Sequence, residues 1–238
     1  MTTHTAKTSP LILARVAGFL YLLTVPLGVF NFLYIPSNLI VSGDAVATAH
    51  KIMASESLFR LGIVSALVGA IIPILYLLLL YKLLKPVSKD SAVLMVVLAL
   101  LGVPIAVFNE FIQLGVLQLL SGADYLTVFT TAQLQALAYL FVRLHSYGIN
   151  IQFIFSGLWL FPLGYLVFKS GFLPRILGVL LIIGGFGYLI DVFSGFLFPA
   201  SNLSIGLVTG LSEIFFLLWL LIKGVNVEQW EKRALESA

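Results

Sequence analysis

An all-α polytopic membrane bundle, with six transmembrane helices and short interfacial helices, is the fold class this sequence predicts. Three observations predict it. Of 238 residues, 61% are apolar and only 10% charged, and the mean hydropathy is +1.11. Soluble domains carry about a quarter charged residues, so this chain lacks the polar side chains to cover a water-facing surface. Second, six continuous leucine-rich runs each approach or exceed the roughly 20 residues that a helix needs to cross a bilayer. Third, none of these runs alternates with period two, as barrel strands would. Disorder is excluded by the same hydrophobicity. The chain has no cysteine, so disulfide and thiolate chemistry are excluded too.

The elements follow in order. A polar N-terminal tail, residues 1–10, precedes a first span at about Leu11–Pro36, which contains Pro26. That run is too long for a signal-peptide core and lacks a small-residue cleavage motif, so it is read as retained. Asp44–Ser57 reads as a short helix with Asp44 as N-cap. The second span is Leu58–Leu84, and the third is Ser91–Leu120 with a kink expected at Pro104. Thr130–His145 reads as a helix that lies at the interface or extends the fourth span, Ser146–Phe168, outward. The fifth span is Pro174–Phe198 and the sixth Leu203–Ile222, joined by a short connection around Pro199–Asn202. Residues 11–223 therefore form one bundle, and residues 224–238 form a C-terminal tail.

Basic residues near the span ends set the orientation. Lys7, Arg15, Lys82, Lys85, Lys89, Lys169, Arg175, Lys223, Lys232 and Arg233 fall on one side. Lys51, Arg60 and Arg143 fall on the other. Ten against three puts both termini in the cytoplasm, and an even span count agrees. No basic run interleaves with aromatic residues, so no nucleic-acid partner is expected. The lipid bilayer is the expected partner, with a small-molecule or lipid ligand beside it.

Ionisable groups inside a membrane cost about 2.5 to 3.5 kcal/mol each on insertion scales. Glu110, Asp191 and Glu213 all sit well inside predicted spans. At about 1.5 Å rise per residue, Glu110 and Asp191 lie roughly 25 Å from the cytoplasmic ends of their spans. Glu213 lies roughly 15 Å from the outer end of its own. The same outer level holds Arg60 on the second span and Gln113 one turn after Glu110. It also holds Arg143, His145, Asn150 and Gln152 on the fourth span, and Tyr188 one turn before Asp191. These ten residues are the candidate ligand-binding set, converging on an outward-facing cavity. The bland alternative is that the arginines pair with the carboxylates and staple the helices. Either way, Arg60 is expected to meet an acid of another span, Asp191 or Glu213. Asp191 and Glu213 are expected to face each other across the fifth and sixth helices. The glycines at 184, 185 and 187, and the pair Gly206 and Gly210, read as sites of close helix packing.

Known motifs are absent. No HExxH, GxSxG, Walker loop, dinucleotide fingerprint or EF-hand loop occurs. Every lysine lies at a span border, which excludes a retinal-type Schiff base. No cofactor is named by the sequence.

Five motifs carry a resemblance. They are Glu56-Ser57-Leu58-Phe59-Arg60-Leu61-Gly62, Leu144-His145-Ser146-Tyr147-Gly148, and the run Lys169-Ser170-Gly171-Phe172-Leu173-Pro174-Arg175-Ile176-Leu177-Gly178. Gly187-Tyr188-Leu189-Ile190-Asp191, and Glu213 followed by Leu218-Trp219-Leu220-Leu221-Ile222-Lys223-Gly224, complete the set. With these the chain resembles a bacterial integral membrane family, domain of unknown function 4386, from about Arg15 to Trp230. The resemblance implies membership and no mechanism. One departure is Ala66, where family members often carry an acidic residue. The leading functional reading is a multi-pass protein that binds a small or lipidic ligand. The alternatives are an intramembrane metal-dependent or acid–base hydrolase using the three carboxylates around His145, a transporter, and an accessory structural subunit.

Overall fold

The computed structural model describes residues 9–198 and 205–237. The N-terminal residues up to Thr8, the Pro199–Asn202 connection and the expected start of the sixth span at Leu203 lie outside the described residues. The described residues contain helices and turns and no strand.

The first helix, α1 (Pro10–Val29), passes through one π-helical turn, Phe30–Tyr34, into a short α2 (Ile35–Leu39). The cause is Pro36, which has no N–H and whose ring would clash with the carbonyl four residues back. Widening the turn relieves this, and the Ile35 N–H donates to the Phe30 carbonyl five residues earlier. Next, α3 (Ala45–Ala54) begins as expected, with the Asp44 side chain accepting from the Ala47 N–H at 2.8 Å. Helix α4 is Glu56–Leu84 and α5 is Lys89–Leu119; each carries an internal proline, Pro73 and Pro104.

The Thr130–His145 segment proves to extend the fourth span. Helix α6 (Thr131–Leu158) and α7 (Leu160–Ser170) follow each other across a break at Trp159, forming a stretch of 40 residues. At 1.5 Å per residue that is about 60 Å, twice the hydrocarbon thickness. The break again has a proline behind it, since Pro162 clashes with the carbonyl of Leu158. Gly171, at φ +77°, closes α7 in the left-handed conformation that glycine accepts without strain. Helices α8 (Arg175–Leu197) and α9 (Gly206–Ile222) complete the membrane part.

Five helical stretches are long and apolar enough to cross a membrane, or six when the pair α9 and α10 (Val227–Glu236) is taken as one bent crossing. The pair bends by 99°. Five charged residues on α10 leave the crossing to α9. Large apolar side chains line the outsides of these helices, among them Phe108, Phe111, Leu33 and Leu197. Such extensive exposed apolar surface fits lipid as the solvent.

Helix α10 is an element that the reading of a plain C-terminal tail missed. Its signal was present: Asn226, followed three residues later by Gln229, has the form of an N-terminal capping pair. The Asn226 side chain does accept from the Gln229 N–H, at 3.0 Å. The helix is tied down where Trp230 Nε1 donates to the Leu83 carbonyl at 2.7 Å. That carbonyl belongs to the last turn of α4 and has no partner within its own helix.

The chain divides into two compact units. One comprises Met1–Leu23, Ile72–Gly102 and Phe153–Ala238. Its core is built from Leu80, Leu83 and Leu84 of α4, Met95 of α5, Leu160, Leu163 and Leu166 of α7, Leu181 of α8 and Phe216 of α9. Glycines let its helices touch. A Cβ on Gly164 would meet the Gly178 carbonyl at 2.6 Å, and one on Gly157 would meet the Gly185 carbonyl at 2.9 Å. Gly184 accepts Ser212 of α9 into the same kind of notch. The packing role expected for Gly184 and Gly185 is thus observed, whereas Gly210 has open space around it. The other unit comprises Thr24–Ile71 and Val103–Gln152. Its core joins Ile35, Leu39, Ile52, Phe59, Ile63, Val116, Ala138 and Val142.

Candidate functional site

Five of the ten candidate residues fall in two clusters, Tyr188 and Glu213 in one unit and Glu110, Gln113 and His145 in the other. In the first unit the centre is Glu213, in the middle of α9. Its carboxylate accepts hydrogen bonds from two phenols, Tyr21 of α1 and Tyr188 of α8, the latter at 2.7 Å. Tyr21 in turn stacks on Tyr76 of α4, with ring centroids 4.6 Å apart. Trp159 stands 6.2 Å from the Tyr21 ring and 6.3 Å from the Tyr76 ring, closing a triangle of aromatic groups. Phe153 lies against the Tyr188 ring at 5.5 Å. Tyr21, Tyr76 and Trp159 are buried, while Glu213 and Tyr188 are half-buried. The carboxylate is therefore held by preplaced donors within an aromatic wall and is not sealed off.

Tyr188 was read one turn before Asp191, yet its hydroxyl goes to Glu213. Asp191 has a different partner: its Oδ1 accepts from the Ile205 N–H at 2.6 Å, where the chain enters α9. The two carboxylates expected to face each other thus have separate hydrogen-bond partners. The side chain of Thr209, one turn before Glu213 in the sequence, lies outside the described residues.

In the second unit Glu110 of α5 meets His145 of α6, with Oε1 and Nε2 3.1 Å apart. Asn109 donates from Nδ2 to the His145 carbonyl at 2.9 Å, and its Oδ1 rests in the space that a side chain at Gly148 would fill. Gln113 is buried one turn beyond. Gln113 falls on the same helical face as Glu110, three residues on.

Arg60 corrects the expectation of a cross-span ion pair. Its Nε binds Glu56 Oε1 at 2.7 Å, one turn back on α4, and the two side chains are 59% and 52% exposed. A long side chain at the mouth of a bundle reaches outward more cheaply than it enters the apolar interior. Arg143 behaves likewise: exposed, it reaches Tyr147 Oη at 3.4 Å and lies 5.6 Å from the centre of that ring. Asn150 and Gln152 are half-buried on α6.

Sequence reasoning missed Tyr21, Tyr76 and Trp159. The available signal was a tyrosine deep in an apolar run, since a buried phenol normally needs an acceptor. Among the described residues, no three His, Asp or Glu side chains come together to hold a metal ion. A groove of about 440 Å³ lies at the α7–α8 connection and the end of α9, lined by Phe172, Trp219, Lys223, Asn226 and Gln229 among others. None of the ten candidate residues lines it.

Comparison with known proteins adds membership. The family model described as domain of unknown function DUF4386 matches residues 16–224. An uncharacterized protein of Archaeoglobus fulgidus is 33% identical over 158 residues, which cover 63% of this chain and 75% of that protein. No solved structure matches the chain. The match spans every candidate residue in both clusters, and the chain belongs to the DUF4386 family.

Proposed function

We propose that the protein is a six-span membrane-embedded binding protein, with both termini in the cytoplasm, that recognises a small ligand through Glu213. One observation carries this reading: a half-buried carboxylate in the middle of the apolar helix α9, oriented by Tyr21 and Tyr188 and walled by Tyr76 and Trp159. Holding a functional group in place with surrounding hydrogen bonds is how a binding site is preorganised. A carboxylate accepts and never donates, and aromatic ring faces carry negative potential. The matching ligand is a small organic cation with an apolar body, an alkylammonium in chemical class.

Trp159 is close enough to the cluster to report binding. In a variant that retains Trp159 as its only tryptophan, tetramethylammonium and butylammonium chloride are titrated into detergent-solubilised protein. The expected result is a saturable fluorescence change that Glu213→Gln abolishes and Glu56→Gln leaves intact. No change with either salt, or an equal change in Glu213→Gln, would reject the reading.

A further inference from the structure

The α5–α6 cluster has an excess of oxygen acceptors. Asn109, Glu110 and Gln113 are 3%, 9% and 7% exposed. Asn109 Oδ1 and Gln113 Oε1 are buried and have no hydrogen-bond partner. The Asn109 amide cannot relieve this by turning over, because its Nδ2 is already committed to the His145 carbonyl at 2.9 Å. Protein atoms cover both oxygens, so bulk water does not reach them. An unpartnered buried acceptor costs about 1 to 3 kcal/mol, so two of them beside a carboxylate call for a positive occupant.

The donor set defines that occupant. One carboxylate and two amide carbonyls are hard oxygen ligands, the kind that hard cations take. The donor set holds a single carboxylate, whose formal charge a monovalent ion matches. A divalent ion would need further acids, and among the described residues no three ionisable ligands converge. Spacing agrees, since Gln113 stands three residues after Glu110 and four after Asn109, on one helical face. We propose that Asn109, Glu110 and Gln113 form a binding site for a small monovalent cation on the α5 face packed against α6. The site is separate from Glu213 and does not depend on the ligand assigned there.

The test compares thermal unfolding of the detergent-solubilised full chain in sodium, potassium or ammonium chloride with unfolding in N-methylglucamine chloride at equal ionic strength. At least one small cation should raise the midpoint progressively with concentration, as a ligand bound to the folded state does. Gln113→Leu should weaken that dependence by about tenfold or more in apparent Kd, and Glu110→Gln should remove it. Glu213→Gln should leave it unchanged, which keeps the two sites distinguishable. Should Glu110→Gln fail to fold, Gln113→Leu decides. Removing an unpaired buried oxygen is neutral or stabilising in itself, so this variant should fold and differ only in its weaker ion dependence. Equal midpoints in all four salts would overturn the proposal. So would an apparent Kd that Gln113→Leu leaves unchanged, or an ion dependence that vanishes in Glu213→Gln.

Discussion

Tyr21 of α1 and Glu213 of α9 are hydrogen-bonded across 192 positions of sequence, hydroxyl to carboxylate. The bond joins the first membrane helix to the last, and Tyr188 brings α8 to the same acceptor. Gly18, one turn before Tyr21, sits so close to α9 that an added Cβ would meet the Leu221 N at 2.8 Å and the Leu217 carbonyl at 2.9 Å. The close approach and the hydrogen bond support each other. Without the glycine, the two backbones could not come near enough for the phenol to reach.

Removing either hydroxyl should therefore be felt. Tyr21→Phe and Tyr188→Phe each keep the ring and delete a donor to Glu213, which should cost about 1 to 3 kcal/mol. Because they share one acceptor, the double variant should depart from additivity. Tyr76→Phe serves as control, since its role is ring stacking on Tyr21 and phenylalanine keeps that. Midpoints of SDS-induced unfolding give the comparison. If Tyr188→Phe loses no more than Tyr76→Phe, the carboxylate is not what holds these helices.

Much of this architecture was legible in the sequence, for a physical reason. The bilayer demands a fixed length of apolar helix, so span ends are read by counting, and α4 and α8 begin and end within two residues of expectation. Depth along a helix was legible in the same way. Rotation about each helix axis was not, and of the neighbours only the pairing of α8 with α9 followed from a short connection. Glu110 meets His145 because α5 packs on α6, and Tyr188 meets Glu213 because α8 packs on α9. Both facts rest on close contacts such as those at Gly148 and Gly184. Arg60 was misread because one acid close by, Glu56, outcompetes distant ones that only a fold could bring near.

The α7–α8 contact offers a sharper test of packing. A Cβ on Gly178 would meet the Gly164 carbonyl at 2.5 Å and the Phe168 N at 2.7 Å. Backbone stands on both sides, and nothing flexible can yield. Gly178→Ala should destabilise by about 1 to 3 kcal/mol through overpacking. Gly195→Ala, on the same helix with nothing within 4 Å, should be neutral or gain up to about 1 kcal/mol from helix propensity. Unfolding midpoints of the pair should move in opposite directions or differ clearly. Equal effects would mean that α7 and α8 are not in backbone contact.

Topology is tested independently of any ligand. Ten of the thirteen lysines and arginines fall on the side assigned to both termini. Activity of cytoplasm-dependent reporters should therefore be high for fusions at each end, with a fusion in the Gly122–Thr130 loop silent. Opposite results for the two ends would require an odd number of crossings. The helix to re-examine would then be α9, whose 17 described residues are at the short limit for a span.

Asp191 separates a structural carboxylate from a binding one. Its Oδ1 accepts from the Ile205 N–H at 2.6 Å, just before α9 begins at Gly206. The first N–H groups of a helix and the residue before it have no acceptor within the helix. A side chain from the preceding helix supplies one here, and it fixes where α9 starts relative to α8. Asparagine keeps an oxygen in the same position, so Asp191→Asn should leave the unfolding midpoint nearly unchanged. Leucine keeps the bulk and removes the acceptor, so Asp191→Leu should cost about 1 to 3 kcal/mol. The loss should appear as faster hydrogen exchange at the start of α9, with α4 and α5 unaffected. If Asp191→Asn is as damaging as Asp191→Leu, the charge of the carboxylate matters beyond this one acceptor. Asp191 would then belong with Glu213 as a group that recognises a ligand.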